Sequence, residues 1–323
     1  MLAAFWLLAG SAAAYEPPPI EAFAMRPIIG EADLSPDGAH LAIRRLLGRG
    51  QHYAVFVYET EDLQAKPYTI GSEHMDIMRV RWANDERLLL TVRQPVEIPG
   101  RRAGYASTSI GAPGRVKTYA YKLLSVGLEG GKFVELPRKG GIARSLSETF
   151  TNRLASPRVV DRLAKEDDWI LVEWASDFAD RSDLLRVNVH DGRMEPVFRQ
   201  SENYFGYDLD GDKQVRLRSK IDRGEDTITV QYRLAGESEW RDFYSYEWEN
   251  RAPERAFLDF AKIAREGGEE STNFAYVRSS IGRDTAGIYL HDLERPDQPG
   301  ELYFALDGFD AQNILKKGTG DDD

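Results

Sequence analysis

The sequence predicts an all-β fold: a β-propeller of four-stranded antiparallel blades, about five blades plus a stub of a sixth. Three observations predict it. Apolar and polar residues alternate at a period of two along most of the chain, Gly/Asp/Asn turns separate the alternating runs, and the runs group into units of roughly 40 to 60 residues that open alike. Periods of that size in an all-strand chain indicate radial repeats more than a two-layer sandwich.

Element by element, Leu2–Ala9 is an apolar run, and Gly10-Ser11-Ala12-Ala13-Ala14 places small residues where a signal peptidase needs them. This predicts a signal peptide over 1–14, cleaved after Ala14, then an extension over 15–28 that starts with the stiff Tyr15-Glu16-Pro17-Pro18-Pro19. No Lys or Arg precedes the apolar run, and the alternative is a buried N-terminal helix. The remaining residues, 29–323, read as propeller, in units at about 29–72, 77–137, 157–199, 203–248 and 255–305.

Strand signals recur inside each unit. Leu41–Ile43 pairs with Tyr53–Tyr58, Arg87–Val92 with Lys117–Leu124, and Phe274–Arg278 with Gly287–Leu293. In the third unit, Leu185, Val187 and Val189 alternate with Arg186, Asn188 and His190, and Asp191-Gly192 supplies a turn before Met194–Phe198. Ile228, Val230, Tyr232 and Leu234 share one face of the strand that begins at Thr227. Pro253–Glu266 is the longest helical candidate, with Phe257, Phe260, Ala261 and Ile263 on roughly one face. It reads as a helical excursion leading into the fifth unit, and the alternative is that unit's first strand.

Composition excludes several functions. With 42 Lys and Arg against 53 Asp and Glu, the net charge of −11 argues against phosphate-backbone binding, so no nucleic-acid partner is expected. The absence of Cys rules out thiolate nucleophiles, disulfides and Cys-ligated metal sites. No apolar stretch reaches the roughly 18 residues a transmembrane helix requires.

Three segments carry a family resemblance. Pro18–Ala24 followed by Leu34-Ser35-Pro36-Asp37-Gly38-Ala39-His40-Leu41-Ala42, then Trp82-Ala83-Asn84-Asp85-Glu86-Arg87-Leu88-Leu89-Leu90, then Gly282–Leu293 with Gly300-Glu301-Leu302, occur in the order found in the N-terminal propeller of the prolyl oligopeptidase family of serine peptidases. The resemblance is to its secreted bacterial dipeptidyl and acylaminoacyl peptidase-like members, and it spans essentially residues 16–315. It implies a propeller of the seven-bladed type, incomplete here, whose catalytic Ser, Asp and His belong to a C-terminal α/β-hydrolase domain. The Ser of that domain sits on a G-x-S-x-G elbow. No G-x-S-x-G occurs in these 323 residues, so no catalytic residue is assigned to any position. The resemblance implies a secreted, periplasmic protein that gates peptide substrate toward a hydrolase partner domain and is inactive alone. The alternatives are a stand-alone TolB-type periplasmic binding propeller and an independent enzyme using carboxylates at the propeller mouth. An incomplete ring should expose blade faces and strand edges and so self-associate.

The remaining candidates give no cofactor and no metal site. His40, His52, His74, His190 and His291 are scattered, with no H-E-x-x-H pattern. Asp208, Asp210 and Asp212 have the spacing of a calcium loop, but Lys213 stands where an EF-hand needs Gly, so they read as a hairpin turn. Trp82, Trp169, Trp174, Trp240 and Trp248 read as core packing, and Glu173 and Asp177 as solvated turn residues. The long loop over residues 99–115 is the candidate functional segment, expected to line the rim where substrate peptide or the hydrolase docks.

Overall fold

The computed structural model describes residues 25–48, 52–72, 74–99, 115–128, 133–137, 157–163, 166–174, 182–198, 203–222, 224–247, 254–265 and 267–314. The signal peptide expected over 1–14, residues 100–114 of the loop expected over 99–115, Asp177 and Trp248 lie outside them. Twenty strands form five four-stranded antiparallel sheets, each built from four consecutive strands in meander order. Blade 1 holds β1 (Ile29–Leu34), β2 (His40–Leu46), β3 (Tyr53–Glu59) and β4 (Tyr68–Ile70). Blade 2 holds β5 (Asp76–Trp82), β6 (Arg87–Pro99), β7 (Arg115–Gly127) and β8 (Val134–Leu136). Blade 3 holds β9 (Arg158–Asp161), β10 (Trp169–Trp174), β11 (Asp183–Asn188) and β12 (Met194–Phe198). Blade 4 holds β13 (Tyr204–Leu209), β14 (Val215–Asp222), β15 (Thr227–Tyr232) and β16 (Arg241–Glu247). Blade 5 holds β17 (Arg255–Ala264), β18 (Glu270–Ser279), β19 (Gly287–Asp292) and β20 (Glu301–Phe304). This is the all-β propeller architecture the spacing predicts, and every unit boundary falls within a few residues of its expected place. After β20 the described residues run to Ile314, with an isolated bridge between Leu306 and Phe309.

The core lies between blades. On β6, Leu88, Leu90 and Val92 pack with Ala42, Val55 and Val57 of blade 1, while Leu89 turns to Ile170, Val172 and Leu185 of blade 3. A strand covered on both faces loses the polar half of its alternation, which is why this stretch reads Leu-Leu-Leu. Leu171 and Leu184 of blade 3 meet Tyr207, Leu209 and Val215 of blade 4, and Leu217, Val230 and Tyr232 meet Ala275 and Val277 of blade 5. Ile228, Val230 and Tyr232 are buried together, as their shared face requires.

The helical expectation for 253–266 fails. Arg255–Ala264 is a strand, paired with β18 from Arg255↔Ser279 to Ala264↔Glu270. Register shifts between Phe257 and Asp259 and between Ala261 and Ile263 insert extra residues. Bulges of this kind stretch a period of two toward the i, i+3, i+4 spacing of a helix, so the apolar pattern misleads.

Two turns show why glycine is needed. Gly38 in Ser-Pro-Asp-Gly has φ of 74° and Gly192 in Asp-Gly has φ of 73°, values that cost any residue with a Cβ. Exposed large apolar side chains gather at both ends of the blade series: Ile28, Ile29 and Leu34 beside the first strand, and Leu302, Tyr303, Phe304, Leu306 and Phe309 around the last. Among the described residues no helix is long and apolar enough to cross a membrane.

Candidate functional site

The first strand of every blade is an edge strand, and its outward N–H and C=O groups need partners. Side chains of neighbouring blades supply them. Glu31 Oε2 accepts the Val80 N–H at 2.8 Å and Asp33 Oδ2 accepts the Trp82 N–H at 2.8 Å, so two acids of β1 cap the edge of β5. From the other side, Arg162 donates to the Trp82 carbonyl at 3.2 Å. At the next junction Glu173 Oε1 accepts the Gly206 N–H at 2.7 Å, and Arg158 donates to the Tyr207 carbonyl at 2.9 Å. Side-chain caps therefore form a seam along the edges of β5 and β13.

Glu173 is not the solvated turn residue its sequence context suggests. Its side chain is only 10% exposed, and it accepts from Arg158 Nε at 2.9 Å and from the Ser182 hydroxyl. The sequence signal that could have found it is the Trp-Ile-Leu-Val-Glu-Trp run, since a carboxylate in the middle of a buried strand must have partners. Burial, and secondarily the nearby Glu173, hold the Tyr207 hydroxyl protonated well above its ordinary range, and that hydroxyl donates to the Ser182 carbonyl at 2.8 Å.

A cavity of about 890 Å³ opens beside this seam, between blades 2 and 3. Arg79 and Arg81 of β5 and Arg158 and Arg162 of the β9 segment line it, with Asp33 and Asp161 as its acids. Leu89, Thr91, Tyr121 and Leu123 of blade 2 and Val159 and Val160 of blade 3 form its remaining walls. Most of the charge is already matched. Arg81 pairs with Glu31 at 2.7 Å, Arg158 with Glu173 at 2.5 Å, and Asp161 with Lys213 at 2.8 Å. Arg162 is held by a backbone carbonyl alone among the described residues, and Arg79 has no polar partner among them.

The residues singled out from sequence are placed elsewhere. The histidines do not converge: His40 lies against Trp82, His52 near Asp76, His190 on Asp168 and His291 edge-on to Phe243. Asp210 closes the expected hairpin turn by accepting the N–H groups of Asp212 and Gln214, both at 3.0 Å, and its other oxygen meets Arg216 at 3.3 Å. Trp82 is fully buried and Trp174 packs against the core between blades 2 and 3, as core packing requires. Trp169 is flanked by the guanidinium groups of Arg186 and Arg193, and Trp240 by those of Arg218 and Arg233. Strands β6 and β7 pair out to Pro99↔Arg115, which brings together the two ends of the segment expected to act at a rim, whose residues 100–114 lie outside the described ones. The cavity escaped sequence reading because its arginines come from strands 77 or more positions apart and each looks like an ordinary polar strand residue.

No family model and no curated protein matches the sequence. Solved structures are similar at low identity. Prolyl oligopeptidase B from Galerina marginata is 10% identical, with a TM-score of 0.47 over 87% of this chain and 38% of its own. An oligogalacturonate lyase in complex with manganese is 11% identical, with a TM-score of 0.44 over 84% of this chain and 64% of its own. TolB from Acinetobacter baumannii is 10% identical, with a TM-score of 0.34 over 83% of this chain and 52% of its own. The chain spans 36 to 38% of the acylaminoacyl peptidase and prolyl endopeptidase chains it matches.

Proposed function

We propose that this chain is the non-catalytic propeller of a secreted, periplasmic prolyl oligopeptidase-like serine peptidase, where it works beside an α/β-hydrolase domain and restricts access to peptides. The position of the resembling segments carries the reading. Leu34–Ala42 and Trp82–Leu90 occupy the same place in successive blades, the turn from first to second strand, and Gly282–Leu293 spans the turn into β19 and that strand. The first two turns also fasten blade to blade: the Asp37 N–H donates to Asp85 Oδ1 at 2.8 Å, and Asn84 Nδ2 donates to the Asp167 carbonyl. In Ser-Pro-Asp-Gly, the Ser35 hydroxyl and then the Ala39 N–H hold the Asp37 carboxyl below its ordinary pKa, keeping the turn's acceptor charged. The words that resemble the family are therefore words the architecture uses.

The test is reconstitution. The full chain is mixed with the separately expressed α/β-hydrolase domain of such a peptidase from the same genome, and cleavage of a short peptide is compared with cleavage of a large unfolded protein. The expected result is a stable complex that keeps cleaving the peptide and loses the large substrate. No association at about micromolar concentrations refutes the reading. A stable complex with an envelope protein in its place supports the binding-propeller alternative.

A further inference from the structure

We propose that the cavity between blades 2 and 3 is a carboxylate-binding site that takes the free C-terminus of a short peptide ending in an apolar residue. Three observations carry this. The first is charge: although the chain as a whole is at −11, four arginines and two aspartates line this cavity, and the surrounding pairs leave it with a surplus of positive charge. The second is availability. Arg81, Arg158 and Asp161 are neutralised by Glu31, Glu173 and Lys213, and Asp33 Oδ2 is spent on the Trp82 N–H. Arg79 and Arg162 keep guanidinium groups that no carboxylate matches among the described residues, and both are exposed. The third is the apolar side of the lining, where Met78, Leu89, Leu123 and Val159 stand within the same cavity as those cations.

A guanidinium donates two parallel N–H bonds to a planar carboxylate, and its charge is weakly hydrated, so a pair of such groups beside an apolar wall selects an anion that carries an apolar body. A peptide C-terminus has that form. Its carboxylate would engage Arg79 and Arg162, and its last side chain would lie on Leu89, Leu123 and Val159. The volume of about 890 Å³ falls within the range of ordinary small-ligand sites and accommodates two or three residues. The identification of the anion as a peptide rests on the functional reading above, while recognition of a carboxylate does not.

Isothermal titration of the full chain, without any hydrolase, tests it with an acetylated dipeptide ending in Phe as the free acid, the same dipeptide as the C-terminal amide, and inorganic phosphate. The acid is expected to bind, and the amide to bind at least about tenfold more weakly, because it offers one oxygen and no charge. Arg79→Met and Arg162→Met should each weaken the acid by about tenfold or more and leave the amide unchanged. Arg79→Lys, which keeps the charge and removes the fork, should fall between them. Arg45→Met, which removes a guanidinium stacked on Phe56 in blade 1, should change nothing. Circular dichroism verifies that each variant is folded. Equal binding of acid and amide, no heat from the acid at about millimolar concentration, or binding unaffected by both Arg79 and Arg162 substitutions overturns the proposal. Phosphate competing as well as the peptide acid also overturns it, since the site would then read charge alone. A chain that binds the acid yet ignores the hydrolase keeps this site and loses the peptidase reading.

Discussion

Removing the Glu173 carboxylate measures how much a single side-chain cap contributes to holding two blades together. In Glu173→Ala the Gly206 N–H, bonded at 2.7 Å, and the Ser182 hydroxyl lose their acceptor at the seam, and each polar group left unsatisfied there costs about 1–3 kcal/mol. Arg158 loses its bonds to the same carboxylate, but its side chain is 54% exposed, so water replaces most of that interaction and this share is at most about 1 kcal/mol. The unmet N–H and hydroxyl therefore outweigh the broken ion pair, and the expected loss is about 3–5 kcal/mol. Urea unfolding followed by tryptophan fluorescence reads it as a lower midpoint with unchanged slope. Glu173→Gln retains an oxygen for Gly206 and should lose about half as much. Glu237→Ala, which removes an exposed pair with Arg241 at 2.7 Å, is the control and should move stability by no more than about 0.5 kcal/mol. If Glu173→Ala unfolds like Glu237→Ala, edge capping is not what joins blades 3 and 4.

Two further outcomes follow from the junction of blades 4 and 5. Arg216 is 1% exposed and Asp210 3%, and Arg216 also donates to the Thr272 and Arg233 carbonyls and to Asn273; Asp210→Ala leaves that cation buried without its counter-charge and should cost about 3–5 kcal/mol in the same unfolding assay, whereas Arg216→Met together with Asp210→Leu should cost clearly less. Burial, reinforced by Arg255, lowers the pKa of His291 below its ordinary 6.5, so the unfolded chain takes up a proton before the folded one does. Stability is then full above about pH 6.5 and falls as the pH drops toward the folded value, and His291→Gln should flatten that slope in melts run between about pH 7 and 5.

Much of the fold was legible because a propeller repeats its local signals. Turn glycines such as Gly38 and Gly192 and runs such as Ile228-Thr-Val-Gln-Tyr232 mark strands without help from tertiary structure. Reading failed where tertiary structure changes the local rule. The two bulges in β17 altered its period and made a strand resemble a helix. Glu173 looked like surface because its partners, Arg158, Ser182 and Gly206, lie on other strands or turns, up to 33 positions away. The arginine cavity is invisible for the same reason, being a product of how blades 2 and 3 face each other and not of any one segment.

Among the described residues, the three carboxylates that cap first-strand N–H groups of another blade, Glu31, Asp33 and Glu173, each reach forward, from a sheet made earlier in the chain to the sheet made next. Synthesis proceeds in the same direction. As the second and fourth sheets emerge from the ribosome, their exposed margins meet acceptors in sheets already made, and a stretch that would otherwise be free to pair with another nascent chain is claimed by its own predecessor.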